Sequence, residues 1–235
     1  MEKLKNSRGY RVFMIIGITG SFGSGKTTVA NMFKRYRFKV IDVDKVYHKD
    51  FYKNHQLRNK IKKEFGTLDR IKLKKIVFSD YSRLKRLNKI THPIIIKTMK
   101  KEIKNANKKS SNYKNPIIKK IPINKKTNKN KIRKKGYNEN YNEIKIIVDI
   151  PLLFEAKLEK LFDKIIVVKA DKKTQINRIL KKKKYSKKEI EQIIKSQMPL
   201  KEKIKKADFV VDNNKDKNYS EKQIRNIVAS VMQKP

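Results

Sequence analysis

The sequence predicts an α/β protein: a doubly wound parallel sheet of about five strands. Three observations carry that expectation. Five short apolar runs recur along the chain, and helical patterns follow them. The later runs are apolar through their middles, as strands covered on both faces are. Four of the seven glycines crowd into one turn, "GITGSFGSGKTT" at residues 17–28, between the first run and the first helix.

The elements follow in order. "VFMII" lies in a first strand over 12–18, β-branched and apolar. "KTTVANMFKRY", 26–36, reads as an amphipathic helix. "FKVIDVD", 38–44, reads as a second strand with carboxylates at its carboxyl end. From 45 to 103 the pattern is mostly helical, with a turn around Gly66, and Pro93 is expected to mark a helix start. Residues 104–143 differ in kind: thirteen Lys/Arg, two Glu and few large apolar residues read as a solvated low-complexity insertion. Strands resume with "KIIVD", ending at Asp149, and with "FDKIIVVKA", 162–170. Helical patterns follow at 172–183 and 186–197. A last strand lies in "ADFVVDN", 207–213, and a closing helix lies near 219–232. Ligands of such sheets sit beyond the carboxyl ends of the strands. The loop at 20–27, Asp44, Asp149 and Asn213 should therefore share one rim.

The glycine-rich turn has a more specific reading. Gly20-Ser21-Phe22-Gly23-Ser24-Gly25-Lys26-Thr27 fits G-x-x-x-x-G-K-[ST] in its required context, after a strand and opening a helix. The backbone N–H groups of Gly20, Ser21, Gly23, Ser24, Gly25 and the residues through Thr28 would wrap phosphates. Lys26 would reach the β- and γ-phosphates, and the Thr27 hydroxyl would face Mg²⁺. The chain is thus expected to bind a nucleoside triphosphate.

Composition narrows the class. The 235 residues suit one domain with small insertions. With no cysteine there is neither a disulfide framework nor a thiolate metal site. No apolar run reaches membrane-spanning length, and the N-terminus lacks a secretory apolar segment, so a cytoplasmic location without membrane partners is expected; the basic N-terminal residues leave organelle targeting open as the alternative. The net charge of +42 is spread along the chain together with abundant isoleucine and asparagine. That reads as compositional drift, not as a nucleic-acid footprint, which would gather in one basic stripe with interleaved aromatics.

Candidate chemistry gathers on the expected rim. Asp42 and Asp44 stand two apart at the end of the second strand. Asp44, nearer the rim, is the candidate base for deprotonating an acceptor hydroxyl; spacing alone equally allows either residue to be a helix cap. Asp149, ending its apolar run, is the candidate second ligand for Mg²⁺. His92 before Pro93 reads as structural or catalytic. Arg178 and Lys181–Lys184 could close over a nucleotide.

The sequence resembles the dephospho-CoA kinase family from about residue 14 to 213, interrupted by the insertion at 104–143, which matches no part of the family pattern. The pieces are "GITGSFGSGKTTVANMF", "VIDVDKVYH", "FGTLDRIKLKKIVFSD", "LNKITHPIII", "VDIPLLFE", "VVKADKKTQINRIL", "IIKSQ" and "ADFVVDNN". The resemblance implies a single P-loop kinase domain over 1–235. Within it would lie a helical CoA-binding region at 45–103, the basic insertion at 104–143 and a small lid at 172–200. It implies ATP- and Mg²⁺-dependent phosphorylation of the ribose 3′-hydroxyl of dephospho-CoA. By position, Asp44 matches the base and Gly23 to Thr28 the ATP loop. His92, Pro151, Leu152 and Glu155 match positions near the acceptor, and Arg178 a lid arginine. Lys182 and Lys74 stand where the family usually has arginine, keeping the charge without the planar fork. Two other readings stay open: another small P-loop kinase acting on a nucleoside monophosphate or a shikimate-like alcohol, or a basic nucleic-acid-binding protein on an ATP-binding fold. The region 45–103 should discriminate, because a CoA site needs a groove long enough for the pantetheine arm.

Overall fold

The computed structural model describes residues 11–110 and 143–232. Five strands form one sheet in the order β2-β3-β1-β4-β5, every neighbouring pair parallel. They are β1 (Arg11–Gly20), β2 (Lys39–Asp42), β3 (Glu143–Asp149), β4 (Lys164–Lys169) and β5 (Phe209–Asp212). All five expected strands are present. The second is shorter than its apolar pattern, because the Asp42 side chain turns back to accept the Lys45 N–H and starts a helix.

Alternation along the strands divides the core between the two faces. Ile146, Val148, Ile165 and Val167 face one cluster with Met99, Ile103, Leu153 and Phe154. Ile147, Ile166 and Val168 face the other, with Ile16, Ile18, Val29, Phe33 and Ile224. Neither face needs polar residues, which is why the strand middles read as continuous apolar runs.

After β1, helix α1 (Lys26–Met32) tightens into a 3₁₀ turn, Phe33–Tyr36. Four helices follow β2: α2 (Val43–Lys53), α3 (His55–Phe65), α4 (Arg70–Ser79) and α5 (Tyr81–Ser110). Gly66 closes α3 in the left-handed conformation, φ 71°. Asn54 and Asp69 cap α3 and α4 by accepting the N–H groups of Leu57 and Lys72. Pro93 does not open a helix; it lies inside the 30-residue α5. That helix also runs seven residues into the stretch read as an insertion, whose remainder at 111–142 falls outside the described residues.

Beyond β4 come α6 (Lys172–Leu180), α7 (Lys187–Lys195) and the short α8 (Leu200–Lys205), then β5 and α9 (Lys217–Met232). Ser186 and Glu189 form a complete capping box at the start of α7. Ile176, Ile179 and Ile190 give α6 and α7 a small apolar cluster of their own.

Candidate active site

Because all five strands are parallel, their carboxyl ends share one edge. Register sets Asp149 beside Ile18 on one side and Asp42 on the other, with Gly20 beside Val168. The glycine-rich loop leaves this edge between β1 and α1. Gly23 and Gly25 hold φ values of 82° and 83°, where L side chains are strained. A side chain at Gly25 would also meet the Asn213 amide, and one at Gly23 would come 2.8 Å from the Gln175 carbonyl oxygen.

The loop is braced from behind. The Asn213 amide donates to the Ser24 carbonyl at 2.8 Å and accepts from the Ser220 hydroxyl at 2.9 Å. Arg178 donates to the Ser24 carbonyl at 3.3 Å and to the Asn213 carbonyl at 2.7 Å. Arg178 and Asn213 thus fix the loop while bordering the cleft in front of it. That cleft, about 520 Å³, is lined by Gly23, Gly25, Lys26, Thr27, Thr28, Arg178 and Asn213, together with Lys181, Lys182, Lys215 and Lys217. Gly20, Ser21 and Ser24 form the loop but do not line the cleft; the two serines are buried.

Asp149 is almost wholly buried. One carboxylate oxygen accepts the Thr27 hydroxyl at 2.5 Å; the other is buried without a partner. Burial pushes its pKa up to about 6; Lys26 and the Thr27 hydrogen bond oppose the rise, and Asp42 and Asp44 add to it. A buried, half-satisfied carboxylate beside a threonine hydroxyl is a hard-oxygen pair, which suits a small divalent cation.

A second, larger cleft of about 890 Å³ opens on the other side of the loop. Asp44, His92, Pro151, Leu152 and Glu155 line it, with Tyr47, His48, Leu73, Asn88, Tyr185 and Gln197 among their neighbours. The structure therefore brings together every residue matched to the acceptor side. Asp44 is exposed in the first turn of α2, while Asp42 is the N-cap of that helix and pairs with Lys45 at 3.3 Å. The two carboxylates do not share a strand face, because the strand has ended. Pro151 is anchored through its carbonyl, which accepts the Thr19 hydroxyl at 3.1 Å. Burial lowers the His92 pKa, partly offset by the Glu155 charge.

Sequence reasoning missed Lys203. It is fully buried on α8, and its ammonium lies 2.8 Å from Glu155 Oε1. The same oxygen accepts the Met198 N–H at 2.9 Å. Glu155 Oε2 is buried with no partner. Burial lowers the Lys203 pKa, and Glu155 opposes that shift. The available signal was position: Leu200, Ile204 and Ala207 pack on the core, and Lys203 sits on that same helical face.

A parallel sheet of this order, with a G-x-x-x-x-G-K-T loop after its central strand and a cleft on each side of the loop, defines a P-loop kinase. The sequence model of the dephospho-CoA kinase family matches residues 14–129 and 125–219. The two matched segments overlap at 125–129, so the family pattern extends into the stretch that the sequence reading placed outside it. A dephospho-CoA kinase of Fusobacterium nucleatum is 37% identical over 209 residues, covering 86% of this chain and 90% of its own. One of Carboxydothermus hydrogenoformans is 32% identical over 225 residues, covering 92% and 94%. Among solved structures, a Thermus thermophilus protein superposes with a TM-score of 0.67 at 25% identity, covering 94% of this chain and 98% of its own. The dephospho-CoA kinase of Campylobacter jejuni gives 0.55 at 25%, covering 92% and 96%. The chain belongs to the dephospho-CoA kinase family.

Proposed function

We propose that the chain transfers the γ-phosphoryl group of ATP to the ribose 3′-hydroxyl of dephospho-CoA, giving coenzyme A and ADP. The carrying observation is the pair of clefts flanking one phosphate loop. The smaller is ringed by lysines and suits a triphosphate. The larger, about 890 Å³, lies near the upper end of small-molecule sites and has room for a nucleotide with a long arm.

Each residue then has a physical task. The loop N–H groups hold the β- and γ-phosphates, and Lys26 offsets the negative charge that spreads over the transferring group. Arg178 holds the loop and lends positive charge to the nucleotide side. Thr27 and Asp149 would hold Mg²⁺, which neutralises phosphate charge when bound. Asp44 accepts the proton of the attacking hydroxyl. His92, Pro151, Leu152 and Glu155 form the acceptor wall, and the Lys203 and Met198 contacts fix the Glu155 rotamer. The α6–α7 pair acts as the lid.

The test is acceptor choice. Initial rates of ADP release are compared for dephospho-CoA, AMP, shikimate and RNA. Dephospho-CoA should give the highest turnover per KM by at least about a hundredfold, since remote binding energy from the arm supports the reacting centre. An equal or higher value for AMP or shikimate would assign the chain to another acceptor.

A further inference from the structure

Phe22 stands between the two clefts: among the described residues it is the one that lines both. Its ring meets Tyr185 edge to face, with centroids 5.3 Å apart and planes at 73°. Both rings pack against Ile176, Ile179 and Ile190, the cluster that joins α6 to α7. The Phe22 N–H donates to Gln197 Oε1 at 2.8 Å, just beyond the end of α7. The tip of the phosphate loop is thus where the α6–α7 pair docks, by side chain and by backbone. The loop motif leaves this position open, and wrapping phosphates requires no aromatic there.

We propose that Phe22 is a positioning residue that seats α6–α7 on the phosphate loop and seals the junction between the clefts against water, so that the phosphoryl group goes to the acceptor and not to water. The proposal rests on the phosphotransfer reading above. In the coupled reaction the acceptor oxygen bonds to the γ-phosphorus, and the bond from that phosphorus to the β,γ-bridging oxygen breaks. The electron pair leaves with ADP, and the hydroxyl proton goes to Asp44. In the side reaction a water oxygen attacks instead; ADP departs in the same way, inorganic phosphate forms, and the proton goes to solvent. Bond cleavage is common to both, so access of water to the junction sets the partition. Gln197 supports the seal by supplying the acceptor that the Phe22 N–H needs.

The experiment measures inorganic phosphate and phosphorylated acceptor separately, with the full chain, ATP and dephospho-CoA. Phe22→Ala, Tyr185→Ala and Gln197→Leu should each raise the ratio of free phosphate to phosphorylated acceptor by about three- to tenfold, as loss of an aromatic contact or, for Gln197, of a hydrogen bond allows. Tyr185→Phe keeps the ring edge, and Gln197→Glu keeps the acceptor oxygen; each should lie nearer the parental ratio than Tyr185→Ala or Gln197→Leu at the same position. Unfolding midpoints are recorded for all five. If Phe22→Ala does not fold, the Tyr185 and Gln197 pairs decide the matter. An unchanged ratio in the folded variants, with both rates falling together, would reduce Phe22 to a structural contact and overturn the proposal. If the parent does not phosphorylate dephospho-CoA, the functional reading fails by itself. Phosphate release without acceptor then tests the seal: a rise in Phe22→Ala supports it, and no rise overturns it.

Discussion

Asp42 and Asp44 are separated by one residue yet stand in different environments. Asp42 accepts the Lys45 N–H at 3.0 Å and caps α2. Asparagine caps about as well as aspartate, so Asp42→Asn should shift stability by only a few tenths of a kcal/mol, roughly, and spare turnover. Asp44→Asn should lower turnover by about 10²–10⁴-fold while ATP affinity stays near normal. Steady-state rates and calorimetric ATP binding separate the two; a mild Asp44→Asn beside an inactive Asp42→Asn would reverse the assignment. Asp149 supplies a pH dependence. Its pKa is raised to about 6 by burial, above its ordinary 3.8, so between these values the folded protein holds a proton that the unfolded chain has released. Stability from this group is therefore greatest in acid and falls as pH rises from about 4 to about 6, by roughly 3 kcal/mol in all. Without divalent metal, Asp149→Asn should be more stable than the parent near neutral pH and should lose this slope; denaturant titrations on either side of that window check it. The phosphate loop was legible because its residues are contiguous and their spacing is the mechanism. Lys203 was not, because one lysine among 64 Lys and Arg carries no signal until its helix face is known.

Among the elements, strands were read well and helix limits less so. The strand runs of β3 and β4 are bounded by charge and turns, and burial on both faces keeps their middles, 146–148 and 165–168, apolar. Helix α6 stops at Leu180 while its pattern runs to 183; Lys183 adopts φ 52°, and the lysines there carry no periodicity to mark the stop. Helix α8 went unread because six residues are too few to show a helical period. The sequence misplaces Pro93 because proline suits a first turn, whereas here it lies exposed in mid-helix, where it lacks the N–H that would bond one turn back. Pro93→Ala restores that donor and should raise stability by about 1–3 kcal/mol. The same change resets the backbone beside His92, so the KM for the acceptor should rise severalfold with the KM for ATP unchanged. Denaturant unfolding and initial rates for both substrates measure the two effects; a loss of stability would show that the proline fits its site better than an alanine.

For the whole molecule, charge is the dominant global property. A net charge of +42 opposes the compact state through self-repulsion and attracts polyanions to the protein as a whole. Apart from the buried Lys203–Glu155 contact, the described ion pairs stand at the surface, where they contribute little. Raising salt from about 0.05 to about 0.5 M screens beyond a few ångströms. The unfolding temperature should then rise while the KM values for ATP and dephospho-CoA both increase; an unfolding temperature that falls would mean that the ion pairs outweigh the repulsion. The composition could not reveal this balance, because it depends on which lysines the fold brings together around the phosphate loop. The central claim is a reaction, and product analysis tests it most directly: the protein is incubated with ATP, Mg²⁺ and dephospho-CoA, and the phosphorylated product is identified. The account predicts coenzyme A carrying its new phosphate on the ribose 3′-oxygen, formed in step with ADP and lost in Lys26→Ala. ADP accumulating without coenzyme A, or a phosphate on another oxygen, would contradict it.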